Sequence, residues 1–556
     1  MTDTRRALLW GVFSLSLVML WDGWNKHTGQ PSLFSPAPVA TAPAQATSAA
    51  VPAPGASAAA AGTAAMPGAA AAAAPGAPSE TVLVSTDVVK ATLDTRGGSV
   101  VGLSLLKHHD ETDPSRPVVL FDRSAERVYA ADSGLIPKLQ GEPALPNHHT
   151  VMTLLPGART LVDGQNELSV IFESPEQGGV KLRKTYVFKR GDYAVQVRHE
   201  VINTSAAPVA PQLYLQLMRD GTVPANSTFS GPSAFTGAAV YSDEGKFQKV
   251  EFKDIEDGKA EYQKSADNGW VAVVQHHFAS AWLYNDKLAR NFQTRKEGNN
   301  LYSISMTLPL APIAAGATQT VDATLFAGPE EEKKLAALAP GLELVKDYGW
   351  LRIIAEPLFW LLDKLHAVLG NWGWSIVALV LLLKIAFYWL NANAYRSMAK
   401  MKAVGPRVQE LRERYKADPQ KMQTEMMRIY REEKVNPLGG CLPILVQMPF
   451  FIALYWVLLS SVEMRGAPWL GWITDLSVKD PYFILPLLMT LATMLQTWLN
   501  PTPPDPMQAK MMWIMPLVFS VMFFFFPAGL VLYWVTNTLL SIAQQWTINK
   551  RLGVTN

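Results

Sequence analysis

Lys384 interrupts Ile376 to Phe387, a stretch otherwise wholly apolar. An ammonium near the centre of a bilayer costs roughly 2.5–3.5 kcal/mol on insertion scales, so a lysine kept there must face a polar cavity or a partner. The bland alternative is snorkelling. Trp389 follows five residues later, about 7.5 Å along a helix, and a long side chain could reach an interface there. A complementary surface lies downstream, where Asn537, Ser541, Gln544 and Gln545 recur at three or four residues with Trp534 one turn earlier. That spacing lines them along one helix face. Gln447 and Gln496 add amides in two other apolar segments. Each alone is ordinary interhelical glue. Together with Lys384 they outline a hydrated concavity with one positive charge and no carboxylate in any of the apolar segments described below. A proton-coupled pump or cation carrier would place acids there.

A second constellation fills Asn391 to Pro437, which carries Arg396, Lys400, Arg407, Arg412, Arg414, Lys416, Lys421, Arg428 and Arg431 among other bases. Met401, Val404, Val408, Leu411 and Tyr415 follow heptad spacing, with Gly405 and Pro406 set to break the first turn. Asp418 and Pro419 read as the cap and first residue of another helix bearing Met422, Met426 and Ile429. A helical hairpin over 397–435 follows. Its apolar stripe is either its own seam or, with Met401, Arg407, Arg412, Arg414, Lys416 and Arg428, a surface that docks a ribosome or targeting factor.

Catalytic readings find little support. No phosphate-binding loop is present, and His148-His149 and His276-His277 are adjacent pairs without the spacing of a helical metal site. Cys441 is the sole cysteine, which excludes an intrachain disulfide. We assign no catalytic residue, metal or cofactor.

The elements that must position these groups emerge from composition. The 556 residues are 49% hydrophobic and 17% charged, against about 25% charged in soluble domains, and mean hydropathy is +0.08. A net charge of +2 gives no reason to expect sequence-specific nucleic-acid binding. Residues 1–26 read as a transmembrane anchor, because Asp22, Gly23, Trp24, Asn25 and Lys26 follow its apolar run where a cleaved signal would place small residues. Residues 27–80 form an Ala/Pro-rich linker that cannot bury a core. Residues 81–328 alternate with period two, as in Tyr193, Val195, Val197 and Val201, and in Leu213, Leu215 and Leu217, so each run should bury one face. Their number predicts an antiparallel sandwich, accessory because its long tether cannot fix it in place and its sequence offers no convincing catalytic set. Residues 345–370 form an amphipathic helix suited to an interface.

Five apolar segments follow within a core at 371–549: Trp374 to Leu390, Leu442 to Leu459, Tyr482 to Leu499, Met512 to Phe526 and Leu530 to Trp546. With the anchor they make six spans. Arg5 and Arg6 hold the N-terminus in the cytoplasm, which puts the β domain outside and the basic hairpin inside. The C-terminus then ends inside. The fold class is a multi-domain membrane protein: an all-β periplasmic sandwich, a helical membrane bundle and a cytoplasmic hairpin.

Asn436-Pro437-Leu438-Gly439-Gly440-Cys441, followed by Gln447-Met448-Pro449, resembles the YidC-type membrane protein insertases. So do Ser397-Met398-Ala399-Lys400-Met401, Asp480-Pro481-Tyr482, Asp505-Pro506-Met507-Gln508 and Phe526-Pro527 with Gly529-Leu530-Val531-Leu532-Tyr533, all in family order. Asp94-Thr95-Arg96-Gly97-Gly98 extends a looser likeness to the Gram-negative members. The resemblance implies an inner-membrane insertase and chaperone, working alone or with the Sec translocon and accessory Sec proteins on nascent membrane proteins. It implies a groove open to cytoplasm and lipid, lined by Lys384, Gln447, Asn537, Ser541 and Gln544, with substrate contacts at Tyr533, Trp534, Met448 and Phe450. The family's groove cation is usually arginine; lysine keeps the charge and loses the bidentate fork. A small-solute transporter or channel using the same groove is the main alternative, and a pure assembly chaperone the second.

Overall fold

A computed structural model describes residues 79–110, 113, 115–124, 126–222, 235–415, 418–433, 442–500 and 506–551. The expected anchor, nearly all of the linker, Lys416 and the Asn436 to Cys441 motif lie outside the described residues.

Period-two patterning becomes paired strands. In Val180–Lys189 the residues Val180, Leu182, Tyr186 and Phe188 are buried while their neighbours are only partly covered. Its partner Ala194–Asn203 repeats the pattern through Val195, Val197 and Val201, and the register sets Tyr186 opposite Val197 and Leu182 opposite Val201. Among the described residues two nine-stranded sheets result. They close over a common core that includes Leu215, Phe172, Tyr186, Trp270 and Trp282.

The strand Gln212–Asp220 departs from the expectation of one buried face, because residues 212–219 are all buried. It lies between Val128–Ile136 and Leu301–Pro309 in the middle of its sheet, and its outer face is covered as well. There Tyr214 packs on Ile136, and its hydroxyl takes the backbone N–H of His148 at 3.0 Å. Alternation along the chain marks a change of face; it cannot say that one face is wet.

Two short helices, α1 (Phe252–Glu256) and α2 (Glu332–Leu338), decorate the sandwich. The helical region holds α3 (Arg352–Leu369), α4 (Trp372–Ala386), α5 (Tyr388–Arg414), α6 (Pro419–Glu432), α7 (Leu442–Ser460), α8 (Ile484–Leu499), α9 (Pro506–Phe523) and α10 (Ala528–Arg551). α3 buries one face, Leu358, Phe359 and Leu362, while its outer face is mixed: Glu356 and Lys364 are exposed there together with Ile353, Trp360 and Val368. Among the described residues no single helix is long and apolar enough to cross a membrane alone. The pair Trp372–Ala386 and Tyr388–Ser397, bent by 66°, meets that test together.

That bend falls inside the expected apolar segment Trp374 to Leu390. The chain turns at Phe387, whose ring meets Phe450 edge-on at 5.1 Å, and then runs as one helix to Arg414, through Gly405 and Pro406. The expected α5–α6 seam forms: Val404 and Val408 are buried against Met401, Met426, Ile429 and Tyr430. Asp418 caps α6 by accepting from Lys421 N at 3.1 Å.

The motifs downstream act as joints. Asp480 is buried, and its carboxylate accepts from Trp472 Nε1 at 3.1 Å, Tyr482 N at 3.0 Å and Leu485 N at 2.7 Å, fixing the start of α8. The α10 entrance is tied to the same loop by Ala528 N to Val478 O at 2.7 Å and Gly529 N to Leu476 O at 2.9 Å. A methyl at Gly529 would stand 3.1 Å from the Leu476 carbonyl, which accounts for glycine there.

The C-terminal end of the β domain is docked on the helical region. His276 Nε2 lies 3.0 Å from Leu459 O, Arg465 Nη2 donates to His109 O at 2.7 Å, and Lys333 pairs with Asp363 at 2.7 Å. Lys346 is fully buried, pairs with Glu463 at 3.1 Å, and sits 3.6 Å from the centre of the Phe359 ring. Val462 joins the sandwich core.

Candidate functional site

α4 carries Lys384 inward on its last turn, and α7 and α10 face it. Between them lies a small, partly open cavity lined by Lys384, Gln447 and Asn537, by Val380 and Leu383, and by the aromatic residues Phe387, Phe450, Phe451 and Tyr533. None of these groups is acidic. Lys384 Nζ donates to Ser541 Oγ at 2.7 Å, and Ser541 in turn donates to the Asn537 carbonyl at 2.7 Å. The hydroxyl hydrogen is thereby spent on α10's own backbone, which leaves its lone pairs for the ammonium. The Lys384 nitrogen keeps further N–H groups for the cavity.

Of the residues expected here, Lys384, Gln447, Asn537, Tyr533 and Phe450 share the cavity, and Ser541 joins through its bond to Lys384. Gln544 does not line it: its amide nitrogen lies 3.5 Å from Tyr388 O. The neighbouring Gln545 turns to α8, donating to Asn500 Oδ1 at 3.1 Å. Met448 is 45% exposed on the outer surface of α7. Trp534 stacks on Phe451 at 5.3 Å and meets Phe523 edge-on at 4.8 Å, so it braces the aromatic wall from behind.

Val380, Leu383, Phe387 and Phe451, which also line the cavity, were not singled out from the sequence, and neither was Asn391, which holds Gln447. Asn391 is buried, and its Oδ1 accepts from Gln447 Nε2 at 2.9 Å. Helical spacing from Lys384 gives no signal for it, because the 66° bend at Phe387 puts the two residues on different helices; ending the span at Leu390 then discarded it.

In the hairpin, Arg407 pairs with Glu433, and Arg428 pairs with Glu425 at 2.7 Å and Glu432 at 3.6 Å. These pairs offset part of the basic face. Met401 is spent partly on the seam, whereas Arg414 is exposed. Nothing is described for the Arg412 side chain or for Lys416.

The cavity can attract and release anionic or strongly polar groups, since a cation, two amides and a hydroxyl sit against apolar walls. A charge held against so apolar a wall acts over a longer range than it would in bulk water.

Comparison with known proteins covers nearly the whole chain. The family described as YidC periplasmic domain matches residues 81–361, and that described as 60Kd inner membrane protein matches residues 364–554. Membrane protein insertase YidC of Cupriavidus necator is 57% identical over 555 residues, spanning 99% of this chain and 98% of the relative. The protein of the same name from Janthinobacterium sp. (strain Marseille) is 51% identical over 573 residues, spanning all of both chains. A crystal structure of an active YidC insertase with its first transmembrane domain resolved is 20% identical, with a TM-score of 0.39, over 84% of this chain and 92% of that one.

Proposed function

We propose, because the chain belongs to the YidC family of membrane protein insertases, that the cavity around Lys384 is the groove through which it works. The protein is an inner-membrane insertase whose substrates are membrane proteins entering the lipid bilayer. In the proposed arrangement it crosses the membrane six times, with the hairpin and both termini cytoplasmic and the β domain periplasmic. The groove opens to the cytoplasm and to lipid.

The observation that carries the reading is an ammonium held by Ser541 in a cavity with Gln447, Asn537 and Tyr533 and without an acid. Such a cavity shortens the hydrocarbon path that a polar tail must cross. Lys384 attracts the tail's carboxylates transiently, and the membrane potential pulls each one outward by ~2.3 kcal/mol per 100 mV. Partitioning of the apolar span into lipid is itself favourable, so no nucleotide is required. The exposed outer faces of α8 and α9, with Leu487, Leu491, Ile514 and Val518, meet the lipid into which that span moves.

Purified protein in vesicles, given a short single-span substrate and nothing else, is expected to insert it with the tail protected from protease. Failure to insert, or flux of a small solute through the same vesicles, overturns the reading in favour of a chaperone or a transporter.

The hairpin formed by α5 and α6 is proposed to receive chains from a ribosome or targeting factor, with the Sec translocon as a further partner. A simple helix connection needs only ~2–8 residues. Replacing residues 398–434 with a short Gly/Ser linker should lower insertion in cells at least about tenfold while the remaining helices stay assembled. Normal insertion by that variant would return the hairpin to a self-packed connector.

A further inference from the structure

We infer that Asn391 is a positioning residue of the groove: it holds the Gln447 amide so that its carbonyl oxygen, beside the Lys384 ammonium, accepts backbone N–H groups of an extended, uncharged substrate tail. This rests on the groove reading above and deepens it by naming the substrate chemistry that Lys384 alone does not address.

The geometry begins at the bend between α4 and α5. Asn391 is 4% exposed, and its Oδ1 takes Nε2 of Gln447 at 2.9 Å. Gln447 therefore uses its donor on Asn391 and keeps its carbonyl for the cavity it lines. Turning both amides over would aim Gln447 Nε2 into the cavity that holds the Lys384 ammonium, so the charge selects the orientation. That orientation leaves Asn391 Nδ2 buried without a partner among the described residues, a cost incurred by the same arrangement that gives Gln447 its acceptor.

An extended chain presents one N–H and one C=O per residue. Lys384 supplies donors for carbonyls and carboxylates. Gln447 Oε1 supplies the acceptor that backbone N–H groups require, which the ammonium cannot offer. The two side chains divide the work: Lys384 governs acidic tails, and the Asn391–Gln447 pair governs tails of Ser, Gly and Asn.

The test uses the full-length protein in vesicles with two single-span substrates, one with a Ser/Gly/Asn tail and one with an acidic tail, read by protease protection. Asn391→Leu is expected to slow insertion of the neutral tail about fivefold, Gln447→Leu by the same factor, and the double variant no further. Asn391→Thr, whose hydroxyl oxygen accepts from Nε2, should recover most of the rate. Should Asn391→Leu fail to assemble, Asn391→Ala removes the acceptor without adding bulk and carries the same expectation. Effects that multiply in the double variant, an unimpaired Asn391→Ala, or a folded Asn391→Thr that does not recover would each overturn the inference. Lys384→Ala is the control: if it inserts the acidic tail normally, the groove reading itself falls; if it is impaired while Asn391→Ala is not, only the positioning role falls.

Discussion

Lys384→Glu should all but abolish insertion of substrates with acidic translocated tails, while Lys384→Arg keeps it and Lys384→Ala falls between. The ammonium lines a cavity without an acid among its walls, so it sets the sign of the field that an entering tail meets. Two unit charges 8 Å apart at an effective dielectric of about 20 interact by roughly 2 kcal/mol, and reversal turns that attraction into an equal repulsion. Water in the groove and mobile ions reduce the swing to about 3 kcal/mol, near a hundredfold in rate. Arginine keeps the charge and can still donate to Ser541 Oγ, which accepts from Lys384 at 2.7 Å. The measurement is the protease-protected fraction of an acidic tail and of a neutral tail in vesicles, variant by variant. Equal insertion of the acidic tail by Lys384→Glu would remove the electrostatic role.

The core of this site was legible because a charge in an apolar run is costly and must be compensated nearby. Lys384 met that condition, and so did Asn537 and Ser541, spaced to share a face with each other. Gln447 was visible for the same reason. Gln544 met the spacing rule too, yet the structure puts it at the Tyr388 carbonyl, because a stripe of polar residues on a long helix outruns the cavity that only part of it lines. Asn391 was lost to a boundary: helix-to-helix continuity across a bend at Phe387 leaves no Gly or Pro in the sequence to mark it.

The sandwich was legible through alternation in Val180–Lys189 and Ala194–Asn203. The burial of both faces of Gln212–Asp220 was not, because strand order is a long-range property. The docking of the β domain was illegible for a similar reason. Lys346 and Glu463 are separated by 117 residues, and each alone reads as an ordinary solvated charge.

That docking carries the second large expectation. Lys346→Met should detach the β domain or unfold the junction. Lys346 is fully buried, and its partner Glu463 is 20% exposed. Removing the cation leaves the Glu463 carboxylate without this partner at a mostly buried contact, and breaking such a pair costs about 3–5 kcal/mol. The expected readouts are a lower unfolding temperature and new protease cleavage between α2 and α3. The double variant Lys346→Met with Glu463→Met should regain much of the loss, since replacing both partners by apolar groups of similar size is often neutral. A double variant as unstable as the single one would show that the pair's charges are not what holds the junction.

The pH dependence of the same junction follows from two groups with opposite signs. Burial, reinforced by Asp347 and Glu463 and opposed by Lys346 and Lys249, holds the Glu330 carboxyl well above the usual carboxylate range. The unfolded chain therefore releases this proton first, and stability is lost as pH rises from the ordinary carboxylate value through the raised one. His277, whose carbonyl accepts from Glu330 N at 2.9 Å, is held well below the usual histidine range by burial, with His276, Arg465 and Lys346 adding to the effect. Its contribution is intact above the ordinary histidine value and lost as pH falls below it. The two losses oppose each other between the ordinary carboxylate and histidine values. Glu330→Gln should therefore raise stability increasingly as pH climbs above the ordinary carboxylate value and flatten the decline that Glu330 causes there, read as unfolding temperature against pH. An unchanged alkaline limb in that variant would show that Glu330 stays ionised in the docked state, with Lys346 serving two carboxylates at once.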